Sequence, residues 1–264
     1  MMNLDKLTYQ VCDLAIDTGE FLKQEVSKLN NSDIQSKGLH NYVTWVDKES
    51  ERRIVEQLSK LLPGSGFIAE ENQALQPGEF TWVIDPLDGT TNFIHGVPLY
   101  CISIGLMHND ETILGMIYEP NLCECFYTWK SAPAYLNKEE IRVSQTPRIS
   151  DALFATGFPY YDYDSLDDYL AIFKYLLKNS RGARRLGSAA ADLAYTACGR
   201  YDGFFEYGLS PWDVNAGGLI VKNAGGKVTD FRGGENHIFG KQIIATNNLI
   251  HTDFLKLFET WKNG

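Results

Sequence analysis

In WVIDPLDGTTNF (Trp82 to Phe93), an apolar strand runs straight into Asp85, and a second aspartate, Asp88, follows within the same short stretch. Pro86 fixes φ near about −65° and has no N–H, so these residues predict a turn directly after Asp85. Such a turn brings both carboxylates to one side. Gly89 permits close backbone approach, and Thr90, Thr91 and Asn92 suit the opening of a helix. The N–H groups of a helix start form an anion site, for which phosphate is a natural occupant. Two carboxylates beside a phosphate seat are self-consistent only with cations between them. Taken alone, Asp-Pro-x-Asp-Gly reads equally as a plain turn, because all three residue types form turns.

The same pattern recurs upstream, where Phe67-Ile68-Ala69 ends in Glu70-Glu71. Hard cations such as Mg²⁺ prefer carboxylate and carbonyl oxygens, and keep waters and substrate phosphate oxygens as further ligands. Glu70, Asp85 and Asp88, with Asp213 of Pro211-Trp212-Asp213, supply that donor set. Two ions about 3.5–4 Å apart would polarise a phosphoryl group, generate hydroxide and stabilise the leaving oxygen. Singly, Glu70-Glu71 reads also as a solvated surface pair and Asp213 as a helix cap.

Around these motifs, residues 1–29 carry apolar side chains at three- and four-residue steps and predict a long amphipathic helix. A second helix is expected from about residue 47 to the stop at Pro63-Gly64. Strands are expected at 100–108, 112–118 and 124–129, continuing into 134–143. Helices followed by consecutive strands make residues 1–150 an α+β unit holding the metal-binding motifs. Residues 151–264 alternate instead, with strands near 153–156, 203–205, 227–229 and 243–245. Helices are expected there at 166–177, 188–198, 212–223 and 252–261. This second, α/β unit would complete the metal and substrate site. No linker-like stretch separates the halves, so they are expected to pack tightly side by side.

Bulk properties narrow the function. The 264 residues are 44% hydrophobic and 22% charged, values of a folded globular chain. A net charge of −10 without a basic run argues against nucleic acid or an anionic membrane surface as principal partner. The five cysteines show no zinc or disulfide framework, although Cys123 and Cys125 would share a face if both lay in one strand. The N-terminal pattern is not that of a signal peptide, and no run approaches the roughly 18 apolar residues of a membrane span. The expected location is cytoplasmic.

Three blocks together carry a family resemblance: Phe67 to Glu71, Trp82 to Phe93, and Pro211-Trp212-Asp213-Val214-Asn215-Ala216-Gly217-Gly218. In order and spacing they resemble the inositol monophosphatase family, and Gly187-Ser188-Ala189-Ala190 resembles a further family segment. The resemblance spans essentially the whole chain. It implies a layered αβαβα sandwich of the sugar-phosphatase (fructose-1,6-bisphosphatase-like) fold, and a Mg²⁺-dependent, commonly lithium-sensitive phosphomonoesterase that is usually a homodimer. By matching motif, Glu70, Asp85 and the Leu87 carbonyl would hold a first metal ion, and Asp85, Asp88 and Asp213 a second. Glu70 would also help hold a third. Thr90 matches the residue that, with Glu70 and Asp47, orients the attacking water. Asp88 and the amides of Gly89 and Thr90 would face the substrate phosphate, while Ala189 and Glu206 would line the pocket for the alcohol. A carboxylate at Glu206 suits a polyol, since it accepts hydrogen bonds from paired hydroxyls; Glu206 reads also as an ordinary alternating strand residue. Asn41 stands where many members carry aspartate, and Trp45 is bulky for a segment near the site. Asn215, where alanine is common, is expected to face elsewhere.

These features imply hydrolysis of a small polyol phosphate, inositol 1-phosphate first, by in-line attack of a metal-activated water without a phospho-enzyme. Relatives acting on 3′(2′),5′-bisphosphate nucleotides, fructose 1,6-bisphosphate or histidinol phosphate are the nearest alternatives. A role as a protein- or RNA-complex binding factor is the alternative of another class. His95 is expected to pack or to support the site without binding metal. Arg184 and Arg185 read as core-edge ion pairs or as a dimer contact.

Overall fold

A computed structural model describes residues 2–29, 34–38, 41–72, 76–159, 163–259 and 261. Helix α1 (Leu4–Val26) starts at Asn3, whose Oδ1 accepts from the Lys6 amide at 3.0 Å. Its Leu7, Val11, Ala15 and Leu22 form one buried stripe. Strands β1 (Ile34–Gly38) and β2 (Asn41–Thr44) pair as a separate antiparallel ribbon that leads into α2 (Trp45–Leu61). This helix begins two residues before the expected Asp47, because Thr44 and Asp47 close a reciprocal capping box at its start. His40 lies outside the described residues, as do the side chain of Asn41 and Thr260 of the expected last helix.

A seven-stranded sheet follows, in the order β3 (Gly66–Ala69), β4 (Phe80–Asp88), β5 (Cys101–His108), β6 (Glu111–Glu119), β7 (Glu124–Trp129), β8 (Ala134–Leu136), β9 (Glu139–Ile141). Among the described residues of this sheet, only β3 and β4 pair in parallel. The turn expected directly after Asp85 is displaced, since β4 continues through Pro86 to Asp88. Pairing with β3 has ended at Ile84, and the ladder with β5 slips between Asp85 and Asp88. Pro86 thus stands in an irregular stretch that needs no regular ladder bond from it. The single-turn helix α3 (Thr90–Ile94) comes next. Cys123 and Cys125 do not share a strand face: Cys123 is exposed in a turn at φ 54°, while Cys125 is buried in β7.

The second sheet has the order β11 (Ala183–Arg184), β10 (Phe154–Thr156), β12 (Gly203–Tyr207), β14 (Gln242–Thr246), β13 (Lys227–Thr229). Its helices are α4 (Leu166–Asn179), α5 (Ala189–Ala197), α6 (Pro211–Asn223) and α7 (His251–Leu255). The last is shorter than expected, and a 3₁₀ turn over Lys256–Phe258 completes it.

Three apolar cores set five layers. Leu7, Val11 and Leu22 of α1, with Ile54 and Leu58 of α2, pack on Trp82, Ile84 and Ile104 of the first sheet. On its other face Ile117 and Phe126 meet Leu193 and Ala194 of α5 and Val214, Ala216 and Ile220 of α6, and these meet Phe204 and Ile243 of the second sheet. Phe205 and Ile244, one residue on and therefore on the opposite face, pack against Tyr169 and Leu176 of α4 and Phe254 of α7. The result is an αβαβα sandwich.

Helix α6 rests on a glycine pair. Gly105 and Gly115 face each other across β5 and β6. A Cβ on Gly105 would come within 1.9 Å of Asn215 Oδ1, and one on Gly115 within 2.6 Å of the Ala216 carbonyl. Asn215 therefore points into the sheet, donating to Thr112 Oγ1 at 2.9 Å, as expected for a residue turned from the site. Gly115→Val should force α6 away from the sheet and cost about 1–3 kcal/mol in urea unfolding. A change under about 0.5 kcal/mol, the scale of a neutral surface substitution, would contradict this packing.

Candidate active site

Strand ends and helix starts converge on one cleft. Glu70 follows β3, Asp85 and Asp88 end β4, and Asp213 lies in the first turn of α6. One ligand atom from each of Asp85, Asp88 and Asp213 lies within 4.8 Å of the other two. Glu70 lines the same cleft, outside that tight group.

Protein donors orient each carboxylate. Asp85 Oδ1 accepts from the Leu87 amide at 2.9 Å. Asp88 Oδ2 accepts from Ser188 Oγ and the Ala190 amide, both at 2.7 Å, at the start of α5. Asp213 Oδ2 accepts from the Ser210 amide at 2.7 Å. Asp213 is therefore both a helix cap and a member of the cluster, because the cap uses one oxygen. Ser103, opposite Asp85 in the β5 ladder, donates to the Trp212 carbonyl at 3.1 Å and ties the start of α6 to β5.

The electrostatics call for a cation. Burial, then Glu70, then Asp88 and Asp213 push the Asp85 carboxyl well above the usual range. Burial and Asp88 do the same to Asp213. Burial pushes Asp88 up to about 6, against the pull of its donors and of Arg185. A carboxylate set with the Leu87 carbonyl beside it fits a hard divalent ion, which would remove this mutual repulsion.

Behind the cluster, Thr90 Oγ1 reaches Asp47 Oδ1 at 3.0 Å and the Leu87 carbonyl at 3.1 Å. Asp47 Oδ2 accepts from the Thr44 amide and hydroxyl at 2.8 and 2.6 Å. Asp47 thus lies beneath Thr90. Gly89 adopts φ 99° where the chain swings from β4 into α3, a conformation that favours glycine. The first N–H groups of α3 have no acceptor within that helix.

The other end of the cleft is built from the second sheet. Ala189 opens α5, and Glu206 stands near the end of β12 with only 7% of its surface exposed. A Cβ on Gly157 would come within 2.0 Å of the Glu206 carboxylate, so a glycine there is what admits that side chain. Burial pushes Glu206 up to about 8, opposed by Arg185 and reinforced by Asp88. The cleft has a volume of about 180 Å³, below the roughly 300–1,000 Å³ of drug-sized pockets. It suits a small ligand.

All of the sequence-derived candidates line this cleft except Asp47, which reaches it through Thr90. Two charged lining residues had not been assigned to the site. Arg185 is placed at the cleft, where its charge reaches Asp88, Asp192 and Glu206. Asp192 is the one charged residue in the apolar helix α5, which was the available signal. His95 is exposed at the end of α3. Trp45 is 45% exposed and turns to Phe21, with ring centroids 6.0 Å apart.

Comparisons with known proteins agree with this fold. An inositol-1-monophosphatase of Mesorhizobium japonicum is 37% identical over 244 residues, covering 92% of each chain. The Nus factor SuhB of Pseudomonas aeruginosa is 40% identical over 88% of each chain. The crystal structure of the extragenic suppressor protein suhB from Bartonella henselae superposes with a TM-score of 0.90 at 36% identity, covering 97% of this chain and 98% of that one. The profile of the inositol monophosphatase family matches residues 3–262, and the chain belongs to that family of metal-dependent phosphatases.

Proposed function

We propose that the chain is a Mg²⁺-dependent phosphomonoesterase that hydrolyses the phosphate ester of a small polyol, inositol 1-phosphate first. The observation that supports this best is the convergence of Asp85, Asp88 and Asp213 in the cleft that also holds Glu206. Glu70, Asp85, the Leu87 carbonyl, Asp88 and Asp213 would hold two or three Mg²⁺ ions. When bound, such ions polarise the phosphoryl oxygens, lower the pKa of water and stabilise the leaving oxygen.

The chain's own residues supply position. With Asp47 accepting the Thr90 hydroxyl proton, the Thr90 oxygen is turned to accept a hydrogen bond from the attacking water. Glu70 holds that water from the other side and takes up its proton. The amides of Gly89 and Thr90 receive the phosphate at the start of α3. Attack in line with the ester bond then expels the alcohol toward Ala189 and Glu206. Because Glu206 accepts hydrogen bonds, it favours a hydroxyl-rich alcohol. We further propose a homodimer and sensitivity to lithium, on family resemblance. A second reading, a binding factor in a larger complex, is favoured by the name Nus factor SuhB of the P. aeruginosa relative.

Metal-stripped protein should release phosphate from inositol 1-phosphate only after Mg²⁺ is added, and faster than from fructose 1,6-bisphosphate, histidinol phosphate or adenosine 3′,5′-bisphosphate. Glu70→Gln and Asp213→Asn should each lower kcat by roughly 100-fold or more, the scale of losing a transition-state-stabilising group, with circular dichroism unchanged. Phosphate release retained in both variants would sink the assignment.

The raised carboxyl pKa values fix the pH dependence. Folded Asp88 and Glu206 keep protons that the unfolded chain has released, so metal-free stability falls as pH rises. The window runs from 3.8 to about 6 for Asp88 and from 4.5 to about 8 for Glu206. Because Mg²⁺ competes with protons at the cluster, it should raise Tm more at pH 8 than at pH 5. An equal rise at both pH values speaks against a cation at these carboxylates.

A further inference from the structure

Asp192 is a carboxylate in an unusual place. It lies in the first turn of α5, in the run AAADLAYTA, where every residue is buried. Its own exposure is 1%, and its Oδ1 is buried without a hydrogen-bond partner. An acid in the first turn of a helix is favoured by the helix dipole, but an exposed acid obtains that benefit without losing its hydration. The dipole therefore does not account for the burial.

The surroundings of Asp192 point to a ligand. It lines the cleft together with Glu206 and Arg185, and it is not one of the three carboxylates that cluster at the metal end. When ionised, a carboxylate offers only acceptors, so the partner that suits it is a donor, which a phosphate oxygen is not. Burial, Glu206 and Asp88 raise its carboxyl pKa, while Arg185 opposes them. Arg185 already brings a positive charge to Asp192 and Glu206. What these two carboxylates lack is neutral hydrogen-bond donors, which hydroxyl groups provide.

We propose that Asp192 is a specificity-determining residue that, together with Glu206, accepts hydrogen bonds from hydroxyl groups on the leaving alcohol, so that polyol esters are preferred over esters of simple alcohols. This rests on the phosphomonoesterase reading above and deepens it. Gly157 and Ala189 leave room beside Glu206, and Asp192 adds a second acceptor from α5 on the same cleft. The pair reads more than one hydroxyl, which a lone glutamate does less selectively.

The test compares the wild type with Asp192→Ala and with Asp192→Asn, which keeps the shape and one acceptor oxygen. With saturating Mg²⁺, kcat and KM are measured on inositol 1-phosphate, p-nitrophenyl phosphate and O-phosphoethanolamine. Asp192→Ala should raise KM for inositol 1-phosphate at least about tenfold, roughly the loss of one buried hydrogen bond to a charged group. It should leave kcat/KM for p-nitrophenyl phosphate within about twofold on the same scale, and Asp192→Asn should fall between. Equal losses on both esters, no loss on inositol 1-phosphate, or a larger loss on O-phosphoethanolamine overturns the proposal. Ligand-observed NMR with free inositol and metal-free protein gives a readout apart from turnover. Binding weakened in Asp192→Ala supports the proposal even if the wild type hydrolyses no ester, the outcome that would defeat the phosphatase reading alone. Equal binding by wild type and variant, or none by either, overturns it.

Discussion

Asp85, Asp88 and Asp213 are held where they must repel one another. Two unit charges within 4.8 Å of each other repel by at least about 3.5 kcal/mol at an effective dielectric constant of about 20. Burial removes the water that would otherwise screen them, which is why all three carboxyls are displaced upward. A chain that keeps such a cluster has either to protonate it or to bring in a cation, and the flanking Leu87 carbonyl and Glu70 extend the donor set toward the cation.

Much of the fold serves to hold that cluster. The parallel pair β3 and β4 aims Glu70 and Asp85 the same way, and the irregular end of β4 carries Asp88 back to the start of α5. Asp213 arrives from the far half of the sequence, on a helix that lies close to the sheet because Gly105 and Gly115 face it. The starts of α5 and α6 both place positive dipole ends at the acidic group, offsetting part of its repulsion. Asn92 adds a further tie, donating to the carbonyls of Leu99 and Leu186 at 2.8 Å and so linking α3 to the segment before Ser188.

What was legible in the sequence was chemistry carried by neighbours along the chain. Strands ending in acids, the Asp-Gly-Thr step into a helix and the Pro-Trp-Asp start of α6 are local signals, and they marked the acidic end of the cleft. Pro86 misled because its usual consequence, a stop, depends on having partners on both sides, and β4 has lost β3 by then. Arg185 escaped because nothing adjacent in sequence distinguishes a surface arginine from one lining a cleft, and the lone charge of α5 marks Asp192 as unusual without saying what it faces. Only the packing of α5 between the two sheets does so. The exposed His95 likewise reflects the shortness of α3, which local composition does not fix.

The cleft thus divides into an acidic end built mainly from the first sheet and a second end, proposed above to read hydroxyl groups, built from α5 and β12. That division depends on cations occupying the first end. Crystals soaked in Mn²⁺ as an anomalous stand-in for Mg²⁺ test it most directly. The account predicts an anomalous peak between Asp85, Asp88 and Asp213, with Glu70 and the Leu87 carbonyl beside it. A map with no peak there, or with peaks only at surface carboxylates, would contradict it.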